Sequence, residues 1–304
     1  MTIEIRATVV VAIEHSLRNL PAILARLDCR AHREVEFLFC HAETTDPIAA
    51  LGASAPNVNS LRAAPGARIP HLWRDGILAA RAERIALTTA HCIPADDWLD
   101  RVLALDLASD EAGVGGYFVN RAGASATDWA IYLLRYARFS RPHSSASVPH
   151  IAADNAVYRR SAILACADLL PGGFWEPAYH DRFRAGGMRL RLSPDLVVEH
   201  ANAYTATQFA AQRRAHGREF GRERAQPMPT MQRALYLLAS PLIPFVLFAK
   251  VIGAAARENW LAQVPLRGYF WLGWFVLNWA LGEARGLLDG VQARTRGEGA
   301  RAFR

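Results

Sequence analysis

Residues 7–40, ATVVVAIEHSLRNLPAILARLDCRAHREVEFLFC, decide the fold class of this 304-residue chain. They open with a β-branched run, Ala7 to Ala12, and close with a second apolar run, Val35 to Cys40. Both runs have the length and composition of strands buried on two faces. Between them, apolar residues recur at helical spacing from Leu17 to Leu27. A strand, a helix and a strand in this order predict a β-α-β unit with parallel strands and a right-handed crossover.

The alternation of apolar runs and amphipathic stretches continues to about residue 224, which favours an α/β domain. The further predicted strands are Val58 to Leu61, Ile85 to Thr88, Val114 to Val119, Ala156 to Tyr158, and one long strand or a strand pair in Met188 to Val198. The further predicted helices are His71 to Arg81, Asp96 to Leu107, Asp128 to Phe139, Phe174 to Arg184 and the basic Thr205 to Arg224, with a polar loop at His143 to Ser147.

Composition and charge limit the classes of partner. The 52% hydrophobic content supports a sizeable core, and the net charge of +7 comes almost entirely from Arg residues beside apolar segments. Aromatic and Arg residues do not interleave as they do in single-strand nucleic-acid binders, so we expect no nucleic-acid partner and favour a membrane surface. The four cysteines lack CxxC spacing, and no secretory signal opens the chain. This predicts buried, reduced thiols and a folded domain that faces the cytoplasm.

The composition changes sharply near residue 226, which predicts two parts, 1–226 and 227–304. Ala234 to Ala256 carries one charge and is long enough to cross a bilayer, although two prolines would kink it. Gly268 to Leu281 is apolar and aromatic but short for a span. Flanking Arg residues suit a hairpin in the inner membrane with both ends in the cytoplasm. Interfacial helices, re-entrant helices and buried core helices remain alternatives.

Polar steps follow four of the predicted strands: Glu14-His15, His41 to Glu43, Thr89 to His91, and Glu199-His200. Open α/β sheets bind ligands at the carboxyl ends of their strands. We therefore expect these steps to converge on one site.

With these segments in place, the chain from about Ala7 to Arg224 resembles glycosyltransferase family 2, the inverting enzymes with a GT-A fold. The opening VVVAIEHSLRNL is similar to that family's first strand and N-L helix, and Glu36 to Asp46 follows its E-V-I-V-V-D-D-G-S-T-D rhythm. The other similar segments are WRDGILAAR from Trp73, residues 86–99 against A-F-L-D-D-D-C-I-P-x-x-x-W-L, ADNAVYRR from Ala153, and Gly173 to Leu190 against the G-F-x-E-D helix and its R-A-G-Y-R-L ending.

The resemblance implies a GT-A mixed sheet flanked by helices, with apolar membrane helices at the C-terminal end. It implies transfer of a sugar from a nucleotide-diphosphate sugar to a lipid-linked or membrane-proximal acceptor, with inversion. The donor-binding positions that it implies are Ala12, Glu14, His41, Arg74 and His91, and the acceptor or sugar positions are Asp154, Asn155, Trp175 and Tyr179.

Glu176 is the candidate catalytic base, because it precedes Gly187 to Leu190 at the family's distance. Partial burial beside Phe174-Trp175 would raise its pKa and help it to take a proton from an acceptor hydroxyl. The alternative is that Glu176 only complements the dipole of the helix that it begins.

The chain departs from the family where acidic residues normally stand. Thr89, Ala90 and His91 replace the aspartates that hold a divalent cation, Mn²⁺ or Mg²⁺, and His41-Ala42 replaces the carboxylates that grip the nucleoside. His91 and His200 could form a two-histidine metal site, or they could contact the diphosphate directly or bond only locally. An alternative function is therefore a catalytically degenerate family 2-like protein that acts as a membrane-bound binding or scaffold subunit.

Overall fold

The computed structural model describes residues 3–15, 17–140, 145–225 and 228–301. The chain divides into two compact units, one of residues 1–122 and 139–203 and one of residues 123–138 and 204–304. We call them the sheet unit and the helical unit. The expected division lay at residues 226–227, which fall outside the described part of the chain. The contacts instead group two helices from the expected N-terminal domain with the C-terminal helices.

The sheet unit holds all of the strands that the structure describes. They are β1 Ala7–Ile13, β2 Val35–His41, β3 Val58–Arg62, β4 Arg84–Thr89, β5 Cys92–Pro94, β6 Glu111–Asn120, β7 Ser145–Val148, β8 Asn155–Arg159 and β9 Arg189–His200. The helices of the described chain are α1 Leu20–Leu27, α2 Pro47–Ala50, α3 Ile69–Ala79, α4 Trp98–Ala104, α5 Ala126–Tyr136, α6 Arg160–Leu164, α7 Glu176–Ala185, α8 Ala206–Ala225, α9 Thr230–Ala239, α10 Ile243–Arg257 and α11 Leu266–Arg301.

The strands form one mixed sheet in the order β3-β2-β1-β4-β8-β6-β9-β5, with β7 paired to β9. Strands β1 to β4 pair in parallel, which confirms the β-α-β prediction, and β8 then runs antiparallel to β4 and β6. The sheet is thus mixed and flanked by helices. The pairing changes from parallel to antiparallel between β4, which ends at Thr89, and β8, which begins at Asn155.

Close packing of α3 on the sheet depends on one glycine. A β-carbon at Gly76 would lie 2.3 Å from Cγ1 of Val10, so only glycine lets the helix approach β1 this closely. On the same helix, Nε1 of the buried Trp73 donates to the carbonyl oxygen of Thr88 at 3.0 Å. This contact fixes the helix against the end of β4.

Three local predictions need correction or completion. The helix predicted from Asp96 to Leu107 covers only Trp98–Ala104, because Leu105 is already extended. Part of the loop predicted at His143 to Ser147 lies outside the described residues, and Ser145–Val148 forms β7, whose partner β9 is distant in sequence. Residues 189–200 form one long strand, which resolves the alternative left open by the sequence.

In the helical unit, α8 and α11 touch backbone to backbone. Two glycines on each helix, four residues apart, form the contact: Gly217 and Gly221 on α8, and Gly282 and Gly286 on α11. A β-carbon on any of them would lie 2.0–2.2 Å from a carbonyl oxygen of the opposite helix. Small residues at this spacing let two helices approach to a distance that no side chain permits.

One helix of the described chain, the continuous helical stretch Thr230–Arg257, is long and apolar enough to cross a membrane by length and composition. It comprises α9, a short turn at Ser240–Leu242 and α10. The two prolines that the sequence marks as a kink, Pro241 and Pro244, lie in that turn and in the first turn of α10.

Candidate active site

Backbone hydrogen bonds hold the segment Thr89-Ala90-His91 between the ends of β1 and β9. The backbone N–H of Ala90 donates to the carbonyl oxygen of Ala12 at 2.9 Å, and the N–H of Ala201 donates to that of His91 at 2.8 Å. The buried Asn19 amide donates to the carbonyl oxygens of Ala90 (2.8 Å) and Ala201 (2.7 Å). The ends of β1, β4 and β9 therefore meet here, as the convergence of polar steps predicts.

A carboxylate lies beside this step although none is present in its sequence. The Thr89 hydroxyl donates to Oδ1 of Asp154 at 3.2 Å, and both side chains are buried. Asp154 directly precedes β8, the antiparallel neighbour of β4. The structure thus brings an acidic group from another segment to the position after β4.

Glu176 is joined to the same place. Its Oε1 accepts a hydrogen bond from the backbone N–H of Ala153 at 2.9 Å, next to Asp154. Glu176 is the first residue of α7 and is half-buried. This position is compatible with both interpretations of Glu176. It lies in the first turn of α7, where it complements the helix dipole, and its Oε1 is bonded next to Asp154, which contacts Thr89.

A buried pair lies near Glu176, and its tyrosine, Tyr158, is a residue that the sequence did not single out. The hydroxyl of Tyr158 and Nε2 of His180 are 2.9 Å apart, and both side chains are fully buried. Desolvation raises the pKa of Tyr158, and the charges of Glu176 and Asp154 raise it further. Tyr158 therefore stays neutral. The signal in the sequence was weak, because an aromatic residue in a strand usually marks only core packing.

Burial and, to a lesser extent, the nearby His150 lower the pKa of His180 to about 3. In the unfolded chain the pKa of histidine is about 6.5, so below that pH the unfolded state binds the extra proton. We expect the free energy of unfolding to fall as the pH drops from about 6.5 towards 3, by at most about 1.4 kcal/mol per pH unit from this group. Chemical denaturation of the wild type and of His180→Gln across this range measures the slope.

The variant should lose part of the wild-type slope. His32→Gln, which changes a half-buried histidine 3.4 Å from Glu34, serves as the control and should keep most of it. Equal slopes in the wild type and His180→Gln would contradict the assignment of a neutral, buried His180.

Two of the predicted sugar-binding residues are engaged in the core. Asn155 accepts from Nε1 of Trp98 at 2.8 Å and donates to the carbonyl oxygens of Tyr117 and Leu196 at 3.0 and 3.1 Å. Tyr179 is fully buried, with its ring 4.5 Å from that of Phe174. These contacts give both residues a structural role, and sugar contact at either stays a prediction.

Two further predicted residues, Arg74 and Trp175, make local contacts. Arg74 pairs with Asp75 at 2.7 Å, and Nε1 of Trp175 donates to the carbonyl oxygen of Gly172 at 2.9 Å. Glu14 follows β1 and is half-buried. None of these contacts brings its residue to Thr89.

The end of β2 carries a carboxylate that the site prediction missed. Nε2 of His41 lies 3.1 Å from the Ser60 hydroxyl, which donates to Oδ1 of Asp46 at 2.8 Å. Asp46 also caps α2 by accepting from the N–H of Ile48. It is the last residue of the segment that follows the family's second-strand rhythm, so that pattern could have identified it.

The ligands for a metal ion are incomplete. Across the described residues, no three His, Cys, Asp or Glu side chains lie close enough together to hold one. His200 pairs with Cys92 across β5 and β9, one position out of register with His91. His91 itself lies in the turn before β5, so the strand pairing does not bring its imidazole to His200. The two-histidine site stays a prediction.

No protein-family model matches the chain, and no curated protein matches it. Among solved structures, it is similar to the mannosyltransferase PcManGT from Pyrobaculum calidifontis in complex with GDP-Man and Mn²⁺. The TM-score is 0.52 at 16% sequence identity, and the match covers 93% of this chain and 88% of that one. At this identity the likeness is one of fold: the chain has the fold of a glycosyltransferase.

Proposed function

We propose that this protein is a glycosyltransferase of GT-A type, similar to family 2, which transfers a sugar from a nucleotide-diphosphate sugar to a lipid-linked or membrane-proximal acceptor with inversion. The observation that carries the proposal is the pair of hydrogen bonds that joins three distant segments, Thr89 to Asp154 and Ala153 to Glu176. The fold supports it, because the similar mannosyltransferase was solved with GDP-Man. We place the sheet unit on the cytoplasmic side of the inner membrane.

In the proposed reaction, a carboxylate oxygen of Glu176 takes the proton of an acceptor hydroxyl. The acceptor oxygen then forms a bond to the anomeric carbon on the face opposite the leaving group. The bond from that carbon to the diphosphate oxygen breaks, and its electron pair leaves with the nucleoside diphosphate. The backbone N–H of Ala153 orients the Glu176 carboxylate by donating a hydrogen bond to one of its oxygens. The other oxygen can then take the proton.

We propose that His91 meets the diphosphate where the family's aspartates normally act through a metal ion. The residues present fit a divalent cation poorly, because the described chain offers no trio of ligands at this place. We therefore derive no step through Mn²⁺ or Mg²⁺.

A second function is favoured by one observation: most of the predicted site is closed. Thr89, His91 and Asn155 are fully buried, and Thr89 and Asn155 bond to other protein groups. A degenerate membrane-bound binding or scaffold subunit would keep such a core after losing its donor site.

Titration of the purified full chain with UDP, GDP and TDP, with and without Mn²⁺, separates the two functions. We expect saturable binding of one of them, weakened about tenfold or more by His91→Ala, since a hydrogen bond to a charged group contributes about 1.5 kcal/mol or more. His32→Ala, a histidine near the surface, is the matched control. If no nucleotide binds under any condition, the transferase is excluded in favour of the binding subunit. If Mn²⁺ does not change the affinity, the metal prediction is wrong.

A further inference from the structure

The helical unit exposes two apolar stripes. Along α9 and α10 the exposed side chains recur every three or four residues, at Met231, Leu235, Leu238, Leu242 and Phe245. Along α11 they do the same, at Leu266, Phe270, Trp274, Leu277 and Leu281. Contiguous apolar surface of this extent marks a contact with a protein or a membrane.

The side of α11 away from its stripe is covered by helices that carry charges. From its middle onward, Glu283 pairs with Arg224 at 2.9 Å and Asp289 pairs with Arg218 at 2.6 Å, and both arginines belong to α8. In its first turn, Gly268 packs against Ala126, beside the capping box at the start of α5. Lipid can therefore reach α11 from one side only.

The uncharged part of α11 is too short to cross a bilayer. Only the 15 residues from Gly268 to Gly282 lack a charge, which is about 22 Å of helix against a hydrocarbon core of about 30 Å. Because α11 cannot cross and α10 packs along it, the apolar stripes fit a unit that lies in one leaflet, in the plane of the bilayer.

A groove of about 660 Å³ runs between the two stripes. It is lined by Ser240, Pro241, Pro244, Phe245 and Phe248 on one side and by Gly273, Val276, Leu277, Ala280, Leu281 and Ala284 on the other. The hydroxyl of Ser240 already donates to the carbonyl oxygen of Leu237 at 2.8 Å. The lining offers no free polar side chain, which excludes a sugar or nucleotide and suits a hydrocarbon chain.

Charge indicates which apolar partner covers this surface. From residue 228 to residue 282 the chain has four basic residues and one acidic residue, a net charge of +3. Lys250, Arg257 and Arg267 are exposed, and the last two lie at the end of α10 and the start of α11. Cations beside an apolar face complement the phosphates of anionic lipids, whereas a second copy would bring like charges together.

We propose that the helical unit lies in one leaflet and that its groove binds one hydrocarbon chain of a bilayer phospholipid. This inference concerns the helical unit alone and does not depend on the proposed transferase activity. It assigns an apolar ligand to a cavity built by the turn Ser240–Leu242, α10 and α11.

The test uses the full chain and vesicles of phosphatidylglycerol and phosphatidylcholine, with a trace of phosphatidylcholine that carries a photoactivatable diazirine in one acyl chain. We expect the protein to float with the vesicles and the label to appear in residues 240–248 and 273–284. Gly273→Leu should lower that labelling about tenfold, as expected when the site is filled. A β-carbon at Gly273 has no atom closer than 4.0 Å, so this variant fills the groove without displacing backbone.

Gly253→Leu is the matched control, because Gly253 lies on α10 in open space and does not line the groove. It should label like the wild type. Equal labelling of Gly273→Leu and Gly253→Leu would overturn the groove assignment, as would a protein that does not float with the vesicles. Trypsin added outside the vesicles should cleave after Arg257; protection of that bond would show that the unit crosses the bilayer instead.

Discussion

Glu176→Gln is expected to lower the rate of sugar transfer about 10²- to 10⁴-fold, the usual contribution of a positioned general base. The amide oxygen can still accept the hydrogen bond from the N–H of Ala153, but the side chain cannot take a proton. Nucleotide affinity should stay unchanged, because the substitution preserves shape and leaves the Thr89–Asp154 contact intact. The rate is measured as release of nucleoside diphosphate from a labelled nucleotide sugar, with a total lipid extract as the source of acceptor. The nucleotide is the one that binds most tightly in the titration.

Asp181→Asn provides the control for this experiment. Asp181 lies on the same helix, is exposed and pairs with Arg184 on the surface. Asp181→Asn removes one negative charge from α7, as Glu176→Gln does, but it leaves the Glu176 carboxylate in place. The rate should therefore stay near that of the wild type. Transfer by Glu176→Gln at the wild-type rate would refute the base role and leave the helix-dipole interpretation.

Gly286→Ala is expected to destabilise the helical unit, although the same change in an ordinary helix stabilises it by about 0.5–1 kcal/mol. The sign reverses because the new β-carbon would lie 2.0 Å from the carbonyl oxygen of Arg218, so α8 and α11 must separate. Overpacking of this kind costs about 1–3 kcal/mol. Gly282→Val should cost more, since it adds two further carbons beside the carbonyl oxygen of Arg214. Thermal unfolding followed by circular dichroism measures the loss.

Gly253→Ala distinguishes this contact from a general effect of glycine replacement. Its β-carbon meets no atom within 4 Å, so this variant should be as stable as the wild type or slightly more stable. If Gly286→Ala and Gly253→Ala shift the melting temperature in the same direction by the same amount, the backbone contact between α8 and α11 does not contribute to stability.

The sequence predicted the sheet unit well because its elements carry strong local signals. The runs from Ala7 and Val35 have the length and composition of buried strands, and the structure pairs them in parallel. β7 was missed because its pairing with β9 depends on a partner more than forty residues away, which no local pattern reveals. The glycine spacing on α8 and α11 is visible in the sequence, but nothing local says that the two sets face each other.

For the candidate site, the order of motifs predicted the segments better than the individual contacts. Thr89 and Glu176 were placed by motif, and the structure links each of them to the segment before β8. The bond from Thr89 to Asp154 could not be predicted, because it depends on β8 lying antiparallel beside β4. Tyr158 and His180 meet only after α7 has packed against the sheet, which is why strand and helix patterns did not connect them.

The membership of α5 in the helical unit has a consequence for synthesis on the ribosome. This helix leaves the tunnel between β6 and β7, yet its apolar residues Ala130 and Ile131 pack with Leu272 and Phe275 of α11. About 130 further residues must be translated before α11 is made. Until then, the apolar face of α5 has no contact with α11 and stays exposed. A chain shortened after residue 203 would never receive the partner. Removing residues 123–138 together with the C-terminal helices is therefore the rational way to obtain a soluble sheet unit.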